Sequence, residues 1–112
     1  MNDNSKHNEG VKLDAGKPRT DLLPADALLE VATVLEYGAK KYAARNWEKG
    51  MAWGRLSGAL LRHLFAWMGG EERDPESGLR HLAHASCCAL MLQALTLRAV
   101  GPKMLSNDDR RV

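Results

Sequence analysis

The stretch GGEERDPESGLRHLAHASCC, residues 69–88, joins two helical patterns and decides the fold. Gly69-Gly70 stops the pattern that precedes it, because glycine gains nothing from helical order and readily leaves it. Asp74-Pro75 then offers a helix start, with Asp74 as N-cap and Pro75 at the first helical position; Ser77 is the alternative cap. From there the spacing predicts a helix to about residue 99, ended by Gly101-Pro102. That third helix is apolar nearly all round, through Leu79, Leu82, Cys88, Leu90, Met91, Leu92, Leu95 and Leu97, with only Arg80, Ser86 and Gln93 as a narrow polar stripe. A helix of that kind is central, or is covered by a second subunit.

Working outward toward the N-terminus, Leu56, Leu60, Leu64, Trp67 and Met68 make one apolar side of a second helix over about 55–68. On its other side Arg55 and Arg62, seven residues apart, point nearly the same way and flank Ala59 and Ala66, a hollow with positive walls. The segment RNWEKGMAWG, residues 45–54, breaks helical spacing; its two tryptophans predict an ordered loop, since indoles seldom stay fully solvated. Ala27, Val31, Val34, Leu35, Gly38 and Tyr42 predict a first helix over about 24–44, with Pro24 in its first turn. Gly16 and Pro18 make residues 13–23 an extended lead-in. Residues 1–12 and 101–112 are polar and aperiodic, and read as loose tails. No segment reads as a strand and no repeat is evident. The expectation is an all-α, three-helix-core bundle in a single domain over residues 13–100, assembled as an oligomer, dimer or tetramer.

Composition excludes several classes. Sixteen basic and fourteen acidic residues leave a formal net charge of +2, too weak for a polymeric nucleic-acid binder. No apolar run reaches membrane-spanning length, because Arg80 and the histidines interrupt the longest one. The opening MNDNSKHNEG lacks the apolar core of a signal peptide, so a cytoplasmic location is expected. Cys87 and Cys88 are the only cysteines. Helix neighbours point roughly 100° apart, which an ordinary disulfide does not bridge, so they read as small apolar core residues.

The chemistry gathers around the loop quoted above. His81 and His84 are three apart, on one face near the start of the third helix, and the chain has only four histidines. Glu71, Glu72, Asp74 and Glu76 precede them. His63 on the second helix reaches the same place if helices two and three form an antiparallel hairpin. Carboxylates and imidazoles together suit a divalent metal; oxygen ligands favour Mg²⁺ or Mn²⁺, and imidazole shifts the preference toward Mn²⁺, Fe²⁺ or Zn²⁺. Arginines alongside a metal are what phosphate-ester chemistry requires. Each group also has a plainer reading: the histidines as hydrogen-bonded core residues, Asp74 as a cap, Glu76 as a helix-dipole partner, the arginines as a solvated face.

Four blocks in order, GKPRTDLLP, YGAKKYAARNWEKG and RHLFAWMGGEERDPESGLRHLAHA with its two halves, resemble the phage dATP/dGTP diphosphohydrolase domain, a MazG-like, all-α nucleoside-triphosphate pyrophosphohydrolase group. The resemblance covers about residues 16–98. It implies cleavage of purine deoxynucleoside triphosphates to the monophosphate and pyrophosphate, with a divalent metal, Mg or Mn. The implied metal ligands are Glu71, Asp74, His81 and His84. The implied catalytic groups are His63, Glu71 and Glu76. Lys17, Arg19, Lys41, Arg55 and Arg62 are implied as phosphate-binding residues, and Tyr42, Asn46 and Trp47 as the base site. MazG-type enzymes hold Mg²⁺ with an ExxE on one helix and an ExxD on the next. This chain has no ExxE on its first helix, and His81-x-x-His84 stands where ExxD would fall, so the metal site is rebuilt with histidines or absent. The competing expectation is a non-catalytic protein that sequesters a nucleotide against host nucleotide signalling; a third is a small helical assembly protein.

Overall fold

A computed structural model describes residues 10–98. Three helices carry the fold: α1 (Ala25–Lys41), α2 (Trp53–Met68) and α3 (His81–Arg98), with short 3₁₀ turns at Thr20–Leu22 and Asn46–Lys49. The described residues are all-helical in their regular structure; an isolated antiparallel bridge pairs Arg73 with Arg80. The expected tails lie largely outside the described residues, as does the end of the third helix at 99.

Pro24 sits as the capping residue of α1, and its carbonyl accepts the first helical hydrogen bond, from Leu28 N at 3.0 Å. Asp26 in the first turn and Lys40 and Lys41 in the last match the helix dipole. The helix stops at Lys41, short of 44, and Arg45 adopts a left-handed φ of 60° that no helix continues through. α2 starts two residues earlier than expected, at Trp53. It ends at the two glycines, where the Gly69, Gly70 and Glu71 amides close on the carbonyls of Phe65, Trp67 and Ala66. Gly70, at φ 101°, makes the turn that a side chain would resist.

The third helix differs most from expectation. It begins at His81, not at Asp74-Pro75. Asp74 spends its capping capacity on a closed turn: its Oδ1 accepts from Glu76 N at 3.0 Å, its carbonyl accepts from Gly78 N at 2.7 Å, and its own N–H donates to Leu79 O at 2.8 Å. Gly78, at φ 75°, then breaks any helical path through 75–80. The connection between α2 and α3 is therefore a twelve-residue ordered loop, 69–80.

α3 packs on both α1 and α2. The core holds Val31 and Val34 of α1 against Ala83 and Cys87 of α3, with Leu35, Leu79 and Met91 packed around them. Leu56 of α2 is buried, and Leu95 of α3 is fully so. Two helices cover only two sides of a third, which explains why its apolar surface is not all enclosed: Leu82, Leu90 and Leu97 remain 38%, 46% and 69% exposed. No described helix is long and apolar enough to cross a membrane.

Candidate metal centre

The hairpin of α2 and α3 brings His63 onto the two histidines of α3. The His63 and His84 rings stack, with centroids 4.4 Å apart and planes 6° from parallel. His63 and His81 meet Nδ1 to Nδ1 at 2.9 Å. Asp74 enters from the loop, its Oδ2 3.9 Å from His84 Nε2. One ligand atom each from His63, Asp74 and His84 lies within 4.8 Å of the other two. These donors come from α2, the loop and α3, so the cluster exists only when the hairpin is closed.

Electrostatics favour neutral imidazoles here. Burial pushes His63 below its ordinary value, helped by His84, His81 and Arg62 and opposed by Asp74. Burial does the same to His84, with His81 assisting and Asp74 and Glu76 opposing. Neutral imidazole is the metal-binding form, so both side chains are held ready as donors. Two nitrogens and one carboxylate oxygen fit a divalent ion of borderline character, and Mn²⁺ accepts both donor types.

Of the four ligands expected from the sequence, Asp74 and His84 are in this cluster. Glu71 and His81 stand behind it, paired with each other: His81 Nε2 lies 2.7 Å from Glu71 Oε1, and His81 is 5% exposed. His63, expected as a catalytic group, supplies the third donor. Glu76 is engaged elsewhere, accepting from Lys41 Nζ at 2.8 Å and from the Tyr37 hydroxyl at 3.4 Å. That pair draws its carboxyl below the ordinary range and occupies one of the expected phosphate cations. Among the others, Arg62 acts on His63 through its charge, and Arg55 is exposed on α2. Lys17 and Arg19 lie on the exposed lead-in, Arg19 in a two-bond fork with Asp21.

The expected base-binding residues divide. Tyr42 is 66% exposed beneath Lys41 Nζ. Asn46 opens the 3₁₀ turn. Trp47 lines a cavity of about 230 Å³ with Leu35 of α1 and with Cys87, Met91 and others on α3, and Arg98 sits over its ring at 5.4 Å. Burial pushes the Cys87 thiol up to about 12, so it lines this cavity as an inert group.

Two contributors were not assigned a role in the site from sequence. Ser77 Oγ lies 2.7 Å from His84 Nε2 while accepting from Leu79 N. Arg80 ties the loop down through Glu30 at 3.1 Å and Glu72 at 2.8 Å. A serine and an arginine in a charged loop carry no periodic signal; only the closed turn reveals them.

The sequence profile of the family described as dATP/dGTP diphosphohydrolase, N-terminal, matches residues 7–105. The chain belongs to this family. A relative named dATP/dGTP diphosphohydrolase, from Salmonella phage PMBT28, is 39% identical over 77 residues, which cover 69% of this chain and 26% of the relative. The matched region is thus about a quarter of that relative's length. No solved structure matches the chain.

Proposed function

We propose that this chain is a metal-dependent diphosphohydrolase that splits purine deoxynucleoside triphosphates, dATP and dGTP, into the monophosphate and pyrophosphate. The observation that carries the reading is the convergence of His63, Asp74 and His84 from three chain segments, with both imidazoles held neutral. The name of the phage relative supports the substrate class. A divalent ion on these donors would supply positive charge to phosphate oxygens and acidify a bound water. Arg62 and Lys41, with Arg55, Lys17 and Arg19, offer positive charge to the triphosphate, and Trp47 with its cavity offers a face for the purine. We read the three helices as a MazG-like arrangement that assembles as an oligomer in the cytoplasm of the host cell. The apolar side chains left exposed on α3 support the assembly.

A second reading, nucleotide sequestration without turnover, is favoured by one observation. The match spans 26% of the relative, which leaves room for its catalytic groups in the remainder. One experiment separates the two. Purified chain is incubated with each deoxynucleoside and ribonucleoside triphosphate in Mn²⁺, Mg²⁺ or EDTA and resolved by chromatography. Pyrophosphate and dAMP or dGMP that appear only with metal, and vanish in His84→Ala, support the enzyme. Nucleotide bound intact and unaffected by EDTA selects sequestration. Neither turnover nor binding overturns both.

A further inference from the structure

Hydrogen-bond chemistry around His81 fixes more than its own position. Glu71 Oε1 lies 2.7 Å from His81 Nε2, and an ionised carboxylate only accepts, so Nε2 carries the hydrogen. In its neutral form the imidazole has no other hydrogen, so His81 Nδ1 keeps a lone pair. Opposite it at 2.9 Å stands His63 Nδ1, which must then donate. His63 is left with its lone pair on Nε2.

We propose that Glu71, His81 and His63 form one hydrogen-bonded line that selects the His63 tautomer able to bind a metal ion through Nε2, so that His81 is a positioning residue and not a ligand. The proposal rests on the reading of His63, Asp74 and His84 as a metal site. Both ring nitrogens of His81 are already engaged, at 2.7 Å and 2.9 Å, and the side chain is 6% exposed. Nothing on that ring is left to face an ion. Its backbone is pinned as well, His81 N donating to Glu72 O at 2.9 Å. A histidine ligand whose second nitrogen donates to a buried acceptor is oriented and made more basic by it, and losing such an outer partner commonly lowers metal affinity about 10- to 100-fold.

The test uses the full chain and Co²⁺ as probe. Long-range ¹H–¹⁵N spectra of the metal-free chain are expected to show His81 protonated on Nε2 and His63 protonated on Nδ1. Glu71→Gln offers both a donor and an acceptor to His81, so His63 should become a tautomer mixture and Co²⁺ affinity should drop about 10- to 100-fold. Glu71 is an exposed loop residue, so this variant is expected to fold even if the buried His81→Ala does not. His81→Ala, where folded, should weaken Co²⁺ comparably while leaving the visible spectrum of the bound ion unchanged, because the ligands remain. His63 protonated on Nε2, unaltered affinity in Glu71→Gln, or a changed Co²⁺ spectrum in His81→Ala overturns the line. A wild-type chain that binds no Co²⁺ overturns the metal reading itself. A reversed tautomer in a chain that does bind Co²⁺ overturns only the line.

Discussion

Asp74→Asn tests the half of one carboxylate that the proposed metal site would use. Asp74 Oδ1 is committed to the Glu76 amide at 3.0 Å, and asparagine keeps an oxygen for that bond, so the turn should survive. The lost group is Oδ2, which faces His84 at 3.9 Å and becomes an amide NH₂. For a doubly charged ion about 2.2 Å from a carboxylate oxygen, even full water screening gives an attraction of about 3.8 kcal/mol. That is roughly 500-fold in affinity. At Mn²⁺ one hundred times the wild-type Kd, linkage stabilises the folded wild type by about 2.7 kcal/mol. For a domain of this size that raises Tm by roughly 10–20 °C. The same Mn²⁺ concentration gives Asp74→Asn about 0.1 kcal/mol, a shift below 1 °C. Melting curves by circular dichroism at 222 nm, with Mn²⁺ and with EDTA, read the difference. A variant that gains as much from Mn²⁺ as the wild type would refute the placement of Asp74 in the site.

Three further outcomes are expected. His63 and His84 lie below the ordinary imidazole value of 6.5 in the folded chain, so below pH 6.5 the unfolded chain binds protons that the folded one resists. Their contribution is therefore complete above that pH and is lost as pH falls, and metal-free Tm should decline from pH 7 to 5; a Tm that rises over this range contradicts the burial argument. Leu95→Ala empties a fully buried position and should cost about 2–5 kcal/mol in urea unfolding. Lys41→Met breaks an exposed pair with Glu76, so Tm should barely move, while KM for dATP should rise if Lys41 meets the triphosphate.

The three helices were legible because burial imprints a 3.6-residue period on α1 and α2, and because a helix buried from two sides loses its polar face, as α3 does. His63, His81 and His84 could be brought together from spacing and hairpin geometry alone. The start of α3 could not. Asp-Pro is a sound helix opening locally, but Gly78 at positive φ and the Asp74 hydrogen bonds close the segment into a turn, and that competition is decided by three-dimensional contacts. The proposed division of labour among the imidazoles was hidden for a similar reason. Sequence spacing shows which side chains share a face, whereas the separation of His63 from His81 as donor and support depends on which nitrogen faces which.

The loop that delivers Asp74 meets α1 through Leu79 in the core and through two exposed ion pairs, Lys41 with Glu76 and Arg80 with Glu30, whereas the α1–α3 core is apolar packing. Dissolved ions shrink the reach of the ion pairs, to roughly 10 Å at 0.1 M, and a salting-out anion such as sulfate strengthens the apolar packing. Ammonium sulfate should therefore slacken the ionic attachments of the arm that carries the carboxylate while tightening the body that carries the imidazoles. The solution composition that best preserves this fold is not the one that best holds its three donors together.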